Sequence, residues 1–158
     1  MTRWYEHKLP PPVIDAACAG LMWWLAGALP ALQLWPRGAW PFGLGAALGL
    51  ALAGGAIALA GLVEFSRART TFNPLDPARA SALVTTGIYR VTRNPMYLGM
   101  LLVLLGWAVW LGNAAPFGVL PLSVLLLNKL QIRPEERILR ERFGEHYTRY
   151  AGRVRRWV

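Results

Sequence analysis

Two stretches far apart in the chain carry residue types that do chemistry together. The first runs Thr86-Gly87-Ile88-Tyr89-Arg90-Val91-Thr92-Arg93-Asn94-Pro95-Met96-Tyr97-Leu98-Gly99, and the second holds Glu135, Glu136, Tyr147 and Tyr150. Pro95 suits the first turn of a helix, where its missing N–H is not needed. Asn94 is a helix-capping residue type held extended by the proline that follows. Arg93 and Asn94 then stand at the positive end of a helix dipole, which can hold an anionic group. An arginine there can equally touch lipid phosphates. Glu136 lies four residues before Arg140, the favourable order for a surface ion pair. Glu135 lies three before Ile138 and four before Leu139, so it is expected to face a pocket. Tyr147 and Tyr150, at i and i+3, share a helix face. Together the two stretches offer acidic groups, an arginine and aromatic faces, at the border of a membrane from which an oily molecule could enter.

The rest of the chain must bring these stretches together. Its 158 residues are one domain by length. It is 55% hydrophobic, has eight tryptophans and a formal charge of +9. Its apolar runs predict an all-α fold, an integral membrane helical bundle with four transmembrane helices over 13–35, 41–63, 96–112 and 116–132. A cytoplasmic, helical C-terminal tail follows. Pro30 is expected to kink the first span. Gly45 and Gly49, spaced as GxxxG, are expected to let helices approach closely, within one chain or between chains. Asn128 reads as helix glue or pocket lining, and Lys129 as snorkelling to the surface. Residues 1–63 are front helices, whereas 64–158 form a long polar connection, a hairpin and the tail. Trp107 and Trp110 mark the hairpin's far interface.

Arginine and lysine counts orient the bundle. The leader has Arg3 and Lys8; the connection has Arg67, Arg69, Arg79, Arg90 and Arg93; the tail has eight arginines, from Arg133 to Arg156; the short turns have only Arg37. Leader, connection and tail are therefore expected on the cytoplasmic side, so the two stretches can meet. In a membrane chain, excess positive charge speaks for orientation and lipid contact, and no nucleic-acid motif is present. Cys18, a lone cysteine in an apolar run, is a small filler and gives no cysteine-based zinc site. No metal is expected.

These residues resemble the isoprenylcysteine carboxyl methyltransferases and the related phospholipid methyltransferases. That family's pattern is Arg-His-Pro with a nearby tyrosine and glycine, a hydrophobic hairpin, then a Glu-Glu pair. Here it reads Arg93-Asn94-Pro95-Met96-Tyr97-Leu98-Gly99, residues 101–132, and Glu135-Glu136, followed by Phe143-Gly144 and the tyrosines 147 and 150. The resemblance covers about residues 85–158. It implies an integral-membrane methyltransferase that uses S-adenosylmethionine on a lipophilic or lipid-linked acceptor. A multi-pass protein of a bacterial inner membrane, with both termini cytoplasmic, is the matching expectation.

By the same resemblance, Glu135 and Glu136 hold the cofactor's ammonium group or ribose hydroxyls, and the Arg93–Asn94–Pro95 helix start holds its carboxylate. Tyr89, Tyr97 and Tyr147 flank the adenine or the sulfonium. Leu98 and Gly99 complete the cofactor motif. Asn94 stands where the family pattern has histidine, and an amide cannot act as a base near neutral pH. Arg149 or Arg153 is expected to hold an acceptor carboxylate. An amine acceptor would instead lose a proton to Glu135 or through water. Carboxyl or thiol methylation and phospholipid N-methylation both fit. A reading from another class is a non-catalytic basic membrane protein that binds anionic lipid or a partner. Oligomeric state is open.

Overall fold

The computed structural model describes residues 9–37, 41–69 and 82–158. The leader with Arg3 and Lys8, and Arg79 in the connection, lie outside the described residues. The described residues are helical, apart from turns and one isolated antiparallel bridge between Gln33 and Asn113.

Helix α1, Pro11–Ala28, opens on proline. Its residues Ile14, Cys18, Met22 and Ala26 recur every four positions and are all buried. This stripe packs on Leu104, Leu111, Val119, Leu127 and Ile132 to form the core. The helix stops seven residues short of the expected 13–35. Leu29, which precedes Pro30, leaves the helical conformation with ψ 62°, and a 3-10 turn, Pro30–Leu32, follows. Pro30 thus ends the helix rather than kinking it.

Helix α2, Pro41–Arg67, runs past the expected boundary at 63 and carries Glu64 within it. Helix α3, Pro95–Leu111, ends where Gly112 turns left-handed at φ +64°. The two helices pack closely along their length through small residues. A Cβ on Gly106 would lie 2.7 Å from the Ala47 carbonyl oxygen, and one on Gly61 would lie 3.1 Å from the Pro95 ring. Gly54 and Gly99 face each other backbone to backbone between these points. Gly45 and Gly49 have nothing within 4 Å, so the expected GxxxG ridge is not the one that packs inside the chain.

Asn113 caps α4, Ala114–Phe117, by accepting from the Ala115 N–H at 2.9 Å. Helix α5, Val119–Leu127, passes through a π turn, Asn128–Ile132, into α6, Arg133–Phe143. Pro134 occupies the first turn of α6 together with Glu135 and Glu136, and the backbone runs helically into it from the π turn. It has no N–H to give back along the helix, and the wider π turn just before it absorbs that missing bond. Gly144, at φ +52°, ends α6, and α7 spans Glu145–Ala151.

Among the described residues, two stretches are long and apolar enough to cross a membrane, Gly43–Arg67 and Ala114–Phe143; α3 is shorter at 17 residues. Only 17% of the most apolar window of Gly43–Arg67 is buried inside the protein, so most of that surface faces outward. Leu48, Leu52, Leu59, Trp24 and Leu125 are among its exposed apolar side chains and those of neighbouring helices. Apolar cover this extensive marks a lipid or partner environment. The run 114–143 has 30 residues, which at helical rise is about 45 Å, well beyond a hydrocarbon core of about 30 Å. Its charged end from Arg133 onward therefore exceeds what such a core would enclose.

Candidate active site at the charged end of the bundle

Both chemical stretches lie at one end of the bundle. The 3-10 turn Gly87–Arg90 carries Tyr89 into the interior. Gly87, at φ +55°, lies against the Glu64 carboxylate, where any Cβ would overlap it. Glu64 accepts from the Thr86 hydroxyl and pairs with Arg67 at 2.9 Å. Phe65 from α2 then meets the Tyr89 ring edge-on, with centroids 5.5 Å apart.

The segment before α3 is bound by the C-terminal tail. The Arg93 N–H donates to the Arg155 carbonyl at 3.1 Å. The Asn94 side chain donates to the Arg156 carbonyl at 2.9 Å, and the Thr92 hydroxyl reaches the same oxygen at 3.2 Å. Asn94 precedes the helix as expected, but its side chain makes no cap. The Tyr150 hydroxyl donates to the Tyr89 carbonyl at 2.8 Å.

The two glutamates have different partners. Glu136, 8% exposed, is held by a fork from Arg156 (Nε to Oε1 3.0 Å, Nη2 to Oε2 2.6 Å) and by Arg93 at 3.2 Å. The expected Glu136–Arg140 pair does not form; Arg140 lies over the Tyr147 ring, 5.8 Å from its centroid. The carboxylate attraction raises the Arg156 guanidinium above its ordinary value. Glu135 accepts one hydrogen bond, from the Tyr97 hydroxyl at 3.2 Å, and no cation among the described residues pairs with it. Burial pushes its carboxyl above the ordinary range, while the Tyr97 bond pulls it partly back. Burial likewise pushes the Tyr147 phenol up to about 12. The Arg93 Nε is buried without a partner.

These groups enclose a pocket. Tyr89, Arg93, Asn94, Pro95, Tyr97, Glu135, Glu136 and Tyr147, each a candidate from its residue type, all line it. Tyr150 joins them, its ring at 68° to that of Tyr147 and 6.3 Å away. Leu98 and Gly99 do not line the pocket; Gly99 belongs to the α2–α3 crossing. Arg149 and Arg153 do not line it either, but lie on an adjoining outer groove. Sequence reasoning missed Phe65, Leu83, Val84 and Leu139 on the walls, and Arg156 behind Glu136. Leu139 was legible as part of the apolar stripe. Arg156 was not, being one of many arginines in an aperiodic tail. Asn128 lies behind the same fork, its Oδ1 3.5 Å from Arg156 Nη1, and does not line the pocket.

The charged, aromatic-walled pocket thus sits at one end of a helical bundle whose flanks are apolar and face outward. The sequence profile of the phospholipid methyltransferases matches residues 42–146, and the chain belongs to that family. A segment of 63 residues is 44% identical to an uncharacterised protein of Haemophilus influenzae, covering 40% of this chain and all of that protein. Protein-S-isoprenylcysteine O-methyltransferase B of Arabidopsis thaliana is 36% identical over 46% of this chain and 36% of its own length. The A form from the same plant is 30% identical over 65% of this chain and 52% of its own length. The matches to these plant relatives thus span about a third to a half of their lengths. No solved structure matches the chain.

Proposed function

We propose that this chain is an integral-membrane methyltransferase that binds S-adenosylmethionine in the pocket between α3, α6 and α7. The observation that carries the reading is Glu135, an unpaired carboxylate in an aromatic-walled pocket beside a buried, unpartnered arginine nitrogen. That donor set fits the group: a carboxylate for its ammonium or ribose, an arginine donor for its carboxylate, and aromatic faces for its adenine or sulfonium. Residues 64–158 supply this site, and 1–63 supply front helices of the same domain. In this reading α1, α2, α3 and the run from α4 into α6 cross the membrane four times. In the same reading the pocket and both termini lie on the cytoplasmic side of an inner membrane, an orientation that the arginine excess supports.

The bound cofactor supplies a methyl group on a good leaving group. The protein's part is to align and to exclude water. Leu83, Val84 and Leu139 provide the dry wall. Tyr97 fixes the Glu135 carboxylate through its hydroxyl, while Arg156 holds Glu136 and so fixes Arg93. The acceptor is lipophilic or lipid-linked and enters from the bilayer. A carboxylate or thiolate acceptor needs no base. An amine acceptor, as in a phospholipid headgroup, gives a proton to Glu135, whose raised pKa suits that task. Asn94 takes no proton.

Calorimetric titration of the detergent-purified chain with S-adenosylhomocysteine tests this. Wild type binds saturably, and Glu135→Gln and Tyr97→Phe bind more weakly while remaining folded. Absence of binding by folded wild type would overturn the cofactor reading and favour a non-catalytic lipid-binding protein.

A further inference from the structure

Beside the pocket lies a second, open groove whose charged lining is wholly basic. Arg90 comes to it from the 3-10 turn, His146 and Arg149 from α7, and Arg153 from the segment that follows. All four are exposed. Arg67, Arg93 and Arg156 each hold a carboxylate. By contrast, Arg149 and Arg153 form no ion pair among the described residues, and Arg90 makes none either, though it attracts the Glu64 carboxylate from a distance. Among the described residues no glutamate or aspartate lines the groove. Its remaining wall is largely apolar, with Leu83, Phe143 and Val154. Leu83 and Tyr150 line both groove and pocket, so they form the partition between them. The Tyr150 hydroxyl is tied to the Tyr89 carbonyl, which fixes that partition in place.

We propose that this groove binds the headgroup phosphate of an anionic membrane lipid. Three exposed guanidiniums converging from separate segments, two of them with no acidic group nearby among the described residues, match a phosphate in charge and in hydrogen-bond geometry. The apolar wall accommodates the start of an acyl chain. The groove lies at the arginine-rich end of an outward-facing apolar bundle, where anionic headgroups concentrate. Because Tyr150 stands between groove and pocket, the lipid bound here is an anchor at the rim and not the methyl acceptor. The inference rests on the membrane reading above and does not depend on the cofactor reading.

The test titrates the detergent-purified full chain with short-chain phosphatidylglycerol, and in parallel with short-chain phosphatidylcholine and with inorganic phosphate. Phosphatidylglycerol is expected to bind saturably, with affinity that falls as salt rises. Arg149→Ala/Arg153→Ala is expected to weaken it about thirty-fold, and Arg149→Lys/Arg153→Lys, which keeps the charge but not the guanidinium fork, to weaken it by less. Equal binding by the alanine double variant, or salt-independent binding by wild type, would overturn the site. Equal affinity for phosphatidylcholine would overturn the anionic preference, and equal affinity for inorganic phosphate would overturn the lipid source. S-adenosylhomocysteine binding in the same samples separates the two readings: its absence beside intact phosphatidylglycerol binding sinks the cofactor site and leaves this one standing.

Discussion

The two ends of the helical bundle are each closed by a segment folded onto a helix terminus, yet they end up chemically unlike. At the far end, residues 29–35 hook over the start of the α3–α4 hairpin turn. Leu34 and Trp35 donate their N–H groups to the Gly112 carbonyl, Trp35 Nε1 donates to the Val109 carbonyl at 3.0 Å, and Asn113 donates to the Leu29 carbonyl at 2.9 Å. Trp23, Trp107 and Trp110 stack beside this hook, with Arg37 over Trp23. Its bonds join neutral groups, and none of the buried, unpartnered side-chain atoms lies there. At the other end the tail folds onto residues 92–94 with similar backbone bonds. There it also buries Glu136 under two arginines and leaves Glu135 and the Arg93 Nε without counterparts. Closing an end of a bundle needs only satisfied neutral bonds; unmatched charge at the other end is what a ligand would complete.

The sharpest test of this contrast is to break the charged clamp. Glu136→Ala leaves Arg93 facing no carboxylate in a largely buried site and is expected to cost about 3–5 kcal/mol. Arg156→Ala removes the fork, frees Glu136 to swing, and is expected to lower S-adenosylhomocysteine affinity as well as stability. Denaturant unfolding of the detergent-solubilised chain reads the first effect, and calorimetry the second. If Glu136→Ala unfolds like wild type, the clamp does not hold the charged end.

The α2–α3 crossing carries both ends and gives the next effect. Gly99→Ala drives a Cβ onto the Gly54 carbonyl and the Ala58 side chain, and is expected to destabilise by about 1–3 kcal/mol. Gly45→Ala meets nothing and is expected to be neutral or to stabilise by up to about 1 kcal/mol through helix propensity. If the two variants unfold alike, the crossing is not packed as described.

This pair of glycines also shows what sequence can and cannot carry. The existence of the helices was legible, because long apolar runs bounded by prolines and glycines have few other solutions. The rotational phase of α2 was not. A helix apolar on nearly every side gives no stripe to say which glycine faces a neighbour. The end of α1 at Ala28 and the π turn at Asn128–Ile132 depend on how Pro30 and Pro134 are accommodated, which tertiary contacts decide. At the pocket, the tyrosines and the glutamate pair were legible from type and spacing. The choice of Arg156 over Arg140 as the partner of Glu136 was not, since it needs a contact across 20 residues of a chain rich in arginine.

The far end should respond more mildly. Asn113→Ala removes a helix cap and the bond to the Leu29 carbonyl, for an expected loss of about 1–2 kcal/mol with ligand binding unaffected. A loss of S-adenosylhomocysteine binding in a folded Asn113→Ala protein would mean that the two ends are coupled, and the contrast would fail.

The most informative effect for function belongs to Glu135, because its effect on stability depends on pH. Its folded-state pKa is raised by burial, so the folded protein holds this proton more tightly than the unfolded chain does. Its contribution to stability is present at low pH and is lost as pH rises through the raised pKa. Ligand binding runs the other way, because a cationic group is held by the ionised carboxylate, which disappears as pH falls through the same value. S-adenosylhomocysteine affinity should therefore decline on acidification, at a pH above the ordinary carboxylate range, while stability from this group improves. Glu135→Gln should flatten both dependences: stability should be nearly unchanged at low pH, where Glu135 is protonated, and higher than wild type at alkaline pH, where the buried carboxylate is ionised with no cation beside it. If Glu135→Gln leaves the pH dependence of binding intact, the charge that recognises the ligand lies elsewhere in the pocket.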